Sequence, residues 1–259
     1  MGLREAFASV IASHGSLLPV LREDPAEVRA RFGLSDAELA ALTGVDDESY
    51  AFMAEESGAK RRIHLAVGTP VTVAELAERH PEVLEAYLST TTPMPAEDAD
   101  DPVGIVRACG RLLASDGLPP GLADFGRFEL DRYRLLNDPV AAEACRPRAS
   151  GPPGNPPRPG GPVYLSPAVR VGTYGHDVTD PRAPARLPRG EVTVLLRRRW
   201  EASPQVYRIG TGTGLLLARC DGTHTGSEAA RDAGLPEAEA MGLLDELLRN
   251  DIVRTEARR

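Results

Sequence analysis

The sequence predicts an α+β protein: an all-helical N-terminal domain, then a C-terminal winged helix-turn-helix with a small antiparallel β-sheet. Three observations predict it. Helix-start signals recur through the first half, each ahead of apolar residues at helical spacing. A stretch of alternating Pro and Gly, Gly151-Pro-Pro-Gly-Asn-Pro-Pro-Arg-Pro-Gly-Gly161, then breaks that pattern. Such a stretch forms neither ladder nor helix and stays extended. After it come β-branched runs, three short helical patterns and a closing strand. The expected division is 1–145 helical domain, 146–161 linker and 162–259 winged helix.

Leu3, Phe7, Val10 and Ile11 make one helical face. Asp24-Pro-Ala-Glu27 starts a short helix, with Asp24 as cap, Pro25 at the first position and Glu27 as box partner; Gly33 ends it. Ser35-Asp-Ala-Glu38 opens another over Asp36 to Leu42. Asp46 to Leu65 reads as one helix with Tyr50, Met53 and Ile63 inward. Thr69 to His80 and Pro81 to Leu88 form a helix pair, followed by a loop from Thr90 to Asp101. Pro102 to Ser115 and Leu118 to Leu136 are the next helices. Beyond the linker, Glu191-Val-Thr-Val-Leu-Leu-Arg197 and Gln205-Val-Tyr-Arg-Ile209 read as strands. Gly210-Thr-Gly-Thr-Gly214 reads as a flexible strand-to-helix turn, Leu215 to Cys220 as a short buried helix, and Asp221-Gly222 as a turn. Thr225-Gly-Ser-Glu228 is a capping box for Ser227 to Asp232, closed by Gly234. Pro236 opens a helix to about Asn250, whose Leu243, Leu244, Leu247 and Leu248 form a wide stripe. Ile252 to Thr255 closes the module as a strand.

At 259 residues, the chain is long enough for two domains. With aromatics at only 5%, the cores must be built from Leu, Val and Ala. A net charge of −8 argues against a dedicated binder of nucleic acid or anionic membrane. No apolar run is long enough to span a bilayer. The absence of a signal-peptide pattern and the odd count of 3 cysteines predict reduced thiols in the cytoplasm.

Asp221-Gly-Thr-His-Thr-Gly-Ser-Glu228, between two Leu-rich helices, resembles the core motif of the pyrroloquinoline quinone peptide chaperone family. Those winged-helix domains hold the leader of a precursor peptide for a modifying enzyme. A second resemblance lies upstream. Lys60-Arg-Arg, Thr69-Pro-Val-Thr and Leu84-Glu-Ala-Tyr-Leu88, followed by Leu118-Pro-Pro-Gly-Leu-Ala-Asp-Phe-Gly-Arg-Phe-Glu-Leu130, are similar in order to the helical partner proteins of multinuclear non-heme iron oxidases. The methanobactin-pathway partner belongs to that group. Pro120, Leu122, Ala123, Asp124, Arg127 and Glu129 match its core-helix phrase. Gly126 and Phe128 depart from it. Tyr164 to Val171 resembles the first strand of its C-terminal domain. The run Asp24 to Leu42 looks like the small helical subunit of ring-opening extradiol dioxygenases, and no catalytic residue is carried over from it.

The candidate chemistry is sparse. His14, His64, His80, His176 and His224 share no short spacing with one another or with a Cys, so no metal motif is present. His176-Asp177 reads either as a ligand pair or as a loop cap. Asp221 after Cys220 disfavours a thiolate. The Gly210–Gly214 run lacks the Lys of a phosphate loop. Arg197-Arg-Arg-Trp200 reads either as a nucleic-acid contact or, as a strand-turn setting favours, as a solvated hairpin end. Asp124, Arg127 and Asp131 either pair within their helix or face a partner.

Three functions compete: a non-catalytic partner in peptide modification, a winged-helix transcription regulator, and an enzyme. No acid/base, nucleophile or metal constellation supports the third. Glu191 to Glu256 holds eight Arg against eleven Asp and Glu, which disfavours the second. The first implies two partners, the precursor peptide and a TIM-barrel oxidase that itself carries the iron; this chain is expected to hold no cofactor. The peptide is expected to add as a strand to the edge Gln205, Val206, Tyr207, Arg208 and Ile209, beside a groove lined by Leu243, Leu244, Leu247 and Leu248. The competing arrangement buries all four leucines and caps that edge with Val169–Thr173. Asp124, Arg127 and Asp131 are the expected contacts to the oxidase.

Overall fold

A computed structural model of the chain describes residues 2–90, 101–146, 157–179, 187–200 and 202–255. It divides into two compact units, Met1–Pro119 and Pro120–Arg259. The first is helical and the second mixes helices with two sheets, so the α+β class holds. No helix among the described residues is long and apolar enough to cross a membrane.

The first unit runs α1 (Leu3–Ala12), α2 (His14–Glu23), α3 (Pro25–Phe32), α4 (Asp36–Thr43), α5 (Asp47–Gly68), α6 (Pro70–Arg79), α7 (Pro81–Thr90) and α8 (Pro102–Leu113). Local signals set the starts. Asp24 accepts the Glu27 N–H, Ser35 and Glu38 close a full capping box, and Asp46 accepts the Ser49 N–H at 2.7 Å. Around α1, the buried side chains Val10, Leu21, Val28, Phe32, Leu42 and Tyr50 form one core. The Tyr50 hydroxyl donates to the Leu42 carbonyl at 2.8 Å. Arg22 ties down the α4–α5 turn by donating to the Thr43 carbonyl at 2.7 Å and to Asp47 at 2.8 Å. The expected loop at Thr90–Asp101 falls largely outside the described residues.

One expectation on α5 is corrected. Ile63 is 61% exposed, whereas Leu65 is 1% exposed. Tyr50, Leu65 and Gly68 share the buried stripe. Ile63 lies thirteen positions from Tyr50, roughly 220° around a helix of 3.6 residues per turn, so it faces outward. Where α5 meets α8, a Cβ on Gly68 would stand 2.6 Å from the Cys109 sulfur, so only glycine permits this approach.

The second unit begins with α9 (Pro120–Asn137) and α10 (Pro139–Ala144). It continues with β1 (Pro162–Leu165), β2 (Val169–His176), β3 (Arg189–Arg199), β4 (Ala202–Ile209), α11 (Thr211–Ala218), β5 (Asp221–Thr225), α12 (Gly226–Asp232), α13 (Glu237–Arg249) and β6 (Val253–Arg254). Two antiparallel sheets form, in the orders β5-β1-β6 and β2-β3-β4. The succession α11, β5, α12, α13, β6 is the winged helix-turn-helix.

Strand β3 is buried on both faces from Val192 to Leu196. Its Val192, Val194 and Leu196 join Tyr174 of β2 and Phe125, Phe128 and Leu135 of α9 in one core. Its Leu195, with Val169, joins Leu216 and Leu217 of α11 and the leucines of α13 in another. Helix α9 therefore belongs with the strands, and the division falls at Pro119/Pro120, upstream of the linker expected at 146–161. The physical reason is apolar area: the phenylalanines of α9 need the sheet face that Val192, Val194 and Leu196 supply.

Two further differences concern strands. The hairpin β3–β4 and the closing strand β6 lie in separate sheets. Asp221-Gly222, expected as a plain turn, starts β5. Gly222 takes φ +83° beside an irregularity in the β1–β5 register, and a Cβ there would overlap the Tyr164 ring. The Asp221 carboxylate accepts from the Thr223 N–H at 2.8 Å, the Thr223 hydroxyl at 2.7 Å and the His224 N–H at 3.3 Å. A local turn is thus built into the strand.

Candidate functional site

The peptide-binding expectation rests on β4, an edge of the β2-β3-β4 sheet. Which of its peptide groups face outward follows from register. The Arg198 N–H donates to the Ala168 carbonyl at 2.8 Å. That bond continues the pairing of Val169 with Arg197. Antiparallel positions alternate between bonded and non-bonded. Arg170, Gly172 and Tyr174 therefore turn their peptide groups to β3, while Val171 and Thr173 turn theirs away. Across β3 the same alternation bonds Gln205, Tyr207 and Ile209 to Arg197, Leu195 and Thr193. Val206 and Arg208 present their N–H and C=O groups to the open edge. Val169–Thr173 lies on the opposite edge of the sheet and does not cap β4.

Side chains along β4 divide by position. Val206 is 38% and Tyr207 41% exposed. The Tyr207 hydroxyl donates to the Gln205 side chain at 2.7 Å, and Arg208 pairs with Asp177 at 3.1 Å. Ile209 is half-buried and packs against the core that contains Leu216, Leu217 and the α13 leucines.

The leucines of α13 are placed differently from the expected groove. Leu244, Leu247 and Leu248 are buried core residues, and Leu243 packs partly buried against the same core. The stripe is wide because α13 packs on α12 and on β6 at once. Two neighbours need two adjacent faces, so the width does not mark a spare surface.

Asp124, Arg127 and Asp131 are engaged within the second unit. Asp124 is buried, lies 2.6 Å from His176 Nδ1 and pairs with Arg127. Burial works to raise its carboxyl, but hydrogen bonds from His176 and Arg127 prevail and hold it below the usual carboxylate range. Asp131 accepts from the Tyr174 hydroxyl at 3.0 Å and lies 3.4 Å from Arg170. Burial, reinforced by Asp131, pushes the Tyr174 phenol far up. Arg127 also lies over the Tyr174 ring, 5.9 Å from its centroid. Together these contacts fasten α9 to β2. A Cβ on Gly172 would stand 2.5 Å from the Tyr174 hydroxyl oxygen, so glycine leaves room for that ring.

Of the remaining candidates, His176 belongs to this fastening and Asp177 accepts from the Thr179 N–H at 3.2 Å as a turn cap. His224 Nδ1 lies 3.0 Å from Asp221. No group of three or more His, Cys, Asp or Glu side chains suited to a metal ion occurs among the described residues. Cys109, Cys145 and Cys220 are free thiols. Burial, with Asp221 adding to it, pushes the Cys220 thiol up to about 12. At the β3–β4 turn, Arg198 donates to the Leu135 and Asp138 carbonyls at 3.1 and 3.0 Å, while Trp200 stays 42% exposed.

The sequence reading missed a groove of about 740 Å³ along the other edge, β2. Leu135 and Asp138 flank it on one side, and Leu165, Leu215 and Ala218 on the other. The alternation in Val169–Thr173 was the available signal, but it cannot say which strand edge stays open. No family model matches the chain, and no curated protein matches it.

Proposed function

We propose that this chain is a non-catalytic partner protein. It binds the leader of a ribosomally made precursor peptide as an added β-strand and presents it to a separate iron-dependent oxidase. One observation carries the reading: β4 is an edge strand whose Val206 and Arg208 peptide groups face outward beside exposed Val206 and Tyr207. An extended peptide satisfies such groups by main-chain hydrogen bonds and takes its specificity from alternate side chains. Arg208, itself exposed and paired with the half-buried Asp177, can exchange that carboxylate for one on the leader. The two resemblances drawn from the sequence support the same assignment and supply the class of partner.

A transcription regulator is the competing reading for a winged helix. DNA readers place a basic helix in the major groove. Helix α13 carries Glu237 and Glu239 in its first turn, and its Arg249 is paired with Asp245. This favours peptide over phosphate backbone.

The test is Val206→Pro. Because the Val206 N–H points away from β3, proline removes an outward donor and spares the β3–β4 ladder. Leader affinity, measured by fluorescence anisotropy with a synthetic leader, is expected to fall about tenfold with the melting temperature little changed. Unchanged affinity in a folded variant moves the docking site off β4. Co-expression with a candidate iron-dependent oxidase, followed by affinity purification and iron analysis, tests the partner half. Iron retained by this chain alone with full modifying activity contradicts it.

A further inference from the structure

We infer that the open edge of β2 is a second strand-addition site, one that takes an extended peptide segment bearing a Lys or Arg side chain. It is independent of β4, from which β3 separates it. Val171 and Thr173 turn their N–H and C=O groups away from β3, by the same register that turns out those of Val206 and Arg208. Unlike β4, this edge lies in a groove walled on both sides. Leu135 and Asp138 at the α9–α10 junction stand on one side, and Leu215 of α11 with Leu165 of β1 on the other. A volume of about 740 Å³ is in the range of sites that enclose a ligand. The edge from Val169 to Thr173 is roughly 14 Å long at 3.4 Å per residue, enough for four or five residues of an added strand.

The chemistry of the walls selects the occupant. An added strand alternates its side chains, and those on the α11 side meet Leu215, 49% exposed, and Ala218. Glu191, Asp138 and Asp221 also line the groove. Among the described residues Arg170 is the cation that lines it, already facing Asp131 at 3.4 Å, and Arg198 reaches the wall to donate to the Leu135 and Asp138 carbonyls. Asp138 caps α10, Asp221 holds the Thr223 turn, and Glu191 is exposed. A cleft with this excess of negative charge attracts a cationic residue and repels an acidic one.

The test uses the full chain and two fluorescein-labelled octapeptides that alternate Thr and Val around one central residue, Lys in one and Glu in the other. The Lys peptide is expected to bind about tenfold more tightly than the Glu peptide and to slow amide hydrogen exchange at Val171 and Thr173. Thr173→Pro removes an outward N–H and is expected to lose about tenfold in affinity for the Lys peptide, while Thr173→Ala, which keeps that N–H, binds it like the parent. Glu191→Lys is expected to erase the preference for the Lys peptide. Equal binding of both peptides overturns the proposal, as does unslowed exchange at Val171 and Thr173. If Thr173→Pro does not fold, the exchange and Glu191→Lys results decide. Binding lost in Val206→Pro and kept in Thr173→Pro assigns the peptide to β4 and overturns the β2 site. The reverse pattern supports the β2 site and leaves the leader assignment to its own experiment.

Discussion

Asp124 ties helix α9 to strand β2 within the second unit. Its carboxylate faces both His176 and Arg127, and it titrates lower in the folded chain than in the unfolded one. A carboxyl lowered by folding stabilises fully above its unfolded value of about 3.9, and that stabilisation drains away as pH falls through the folded value. Asp124→Asn is therefore expected to cost about 3 kcal/mol near neutral pH, the order found when one partner of a buried pair is removed. The gap to the parent should close in strong acid, where the parent carboxyl is also neutral. Thermal melts of both chains across the acid range check this; a gap independent of pH would mean that shape, not charge, matters at this position. The i,i+3 spacing of Asp124 and Arg127 was readable in the sequence. His176 lies 52 residues further on, and only the packing of α9 on β2 brings it to Asp124.

Among the elements, α11 shows how glycine sets an approach distance. The run Gly210-Thr-Gly-Thr-Gly214 suggested a flexible turn, yet Gly210 is the N-cap and the helix starts at Thr211. A Cβ on Gly214 would stand 2.7 Å from the Thr193 methyl on β3, whereas one on Gly210 meets nothing within 4 Å. Gly214→Ala is expected to destabilise by about 2 kcal/mol through overpacking, and Gly210→Ala by no more than about 0.5 kcal/mol. Chemical denaturation of the two variants separates them, and equal losses would refute the close-approach role. The leucine stripe of α13 teaches a related point. A stripe at i, i+1, i+4 and i+5 fits a helix bordering a groove and a helix packed between two neighbours equally well. Among the described residues helix α13 packs on α12 and β6, and its leucines share a core with Leu216 and Leu217 of α11.

At the scale of the whole chain, the two units divide ahead of α9, so the sheet has its covering helix within its own unit. A fragment of residues 120–259 is expected to melt cooperatively with near-ultraviolet dichroism intact. A fragment starting at 146, where composition alone would cut, lacks Phe125, Phe128 and Leu135 and leaves Val192, Val194 and Leu196 uncovered. It should lose cooperative melting and aggregate. Two equally cooperative fragments would contradict the role given to α9.

By itself the sequence determined the class of fold and the placing of most helices. Caps and periodicity are local: Asp24, Ser35, Asp46 and Thr225 each act on a backbone N–H three residues away, so a linear reading finds them. It also located the strands of the hairpin, because β-branched runs are local too. Which strands share a sheet, which edges stay open and which of two helix faces is buried depend on contacts between distant segments, and only the tertiary structure decided them. Val169–Thr173 could pair with either side of a hairpin on pattern alone. It pairs with β3 because Tyr174 and Val169 then reach the two cores on opposite faces of the sheet, which leaves β4 and the grooved edge of β2 without a partner strand among the described residues.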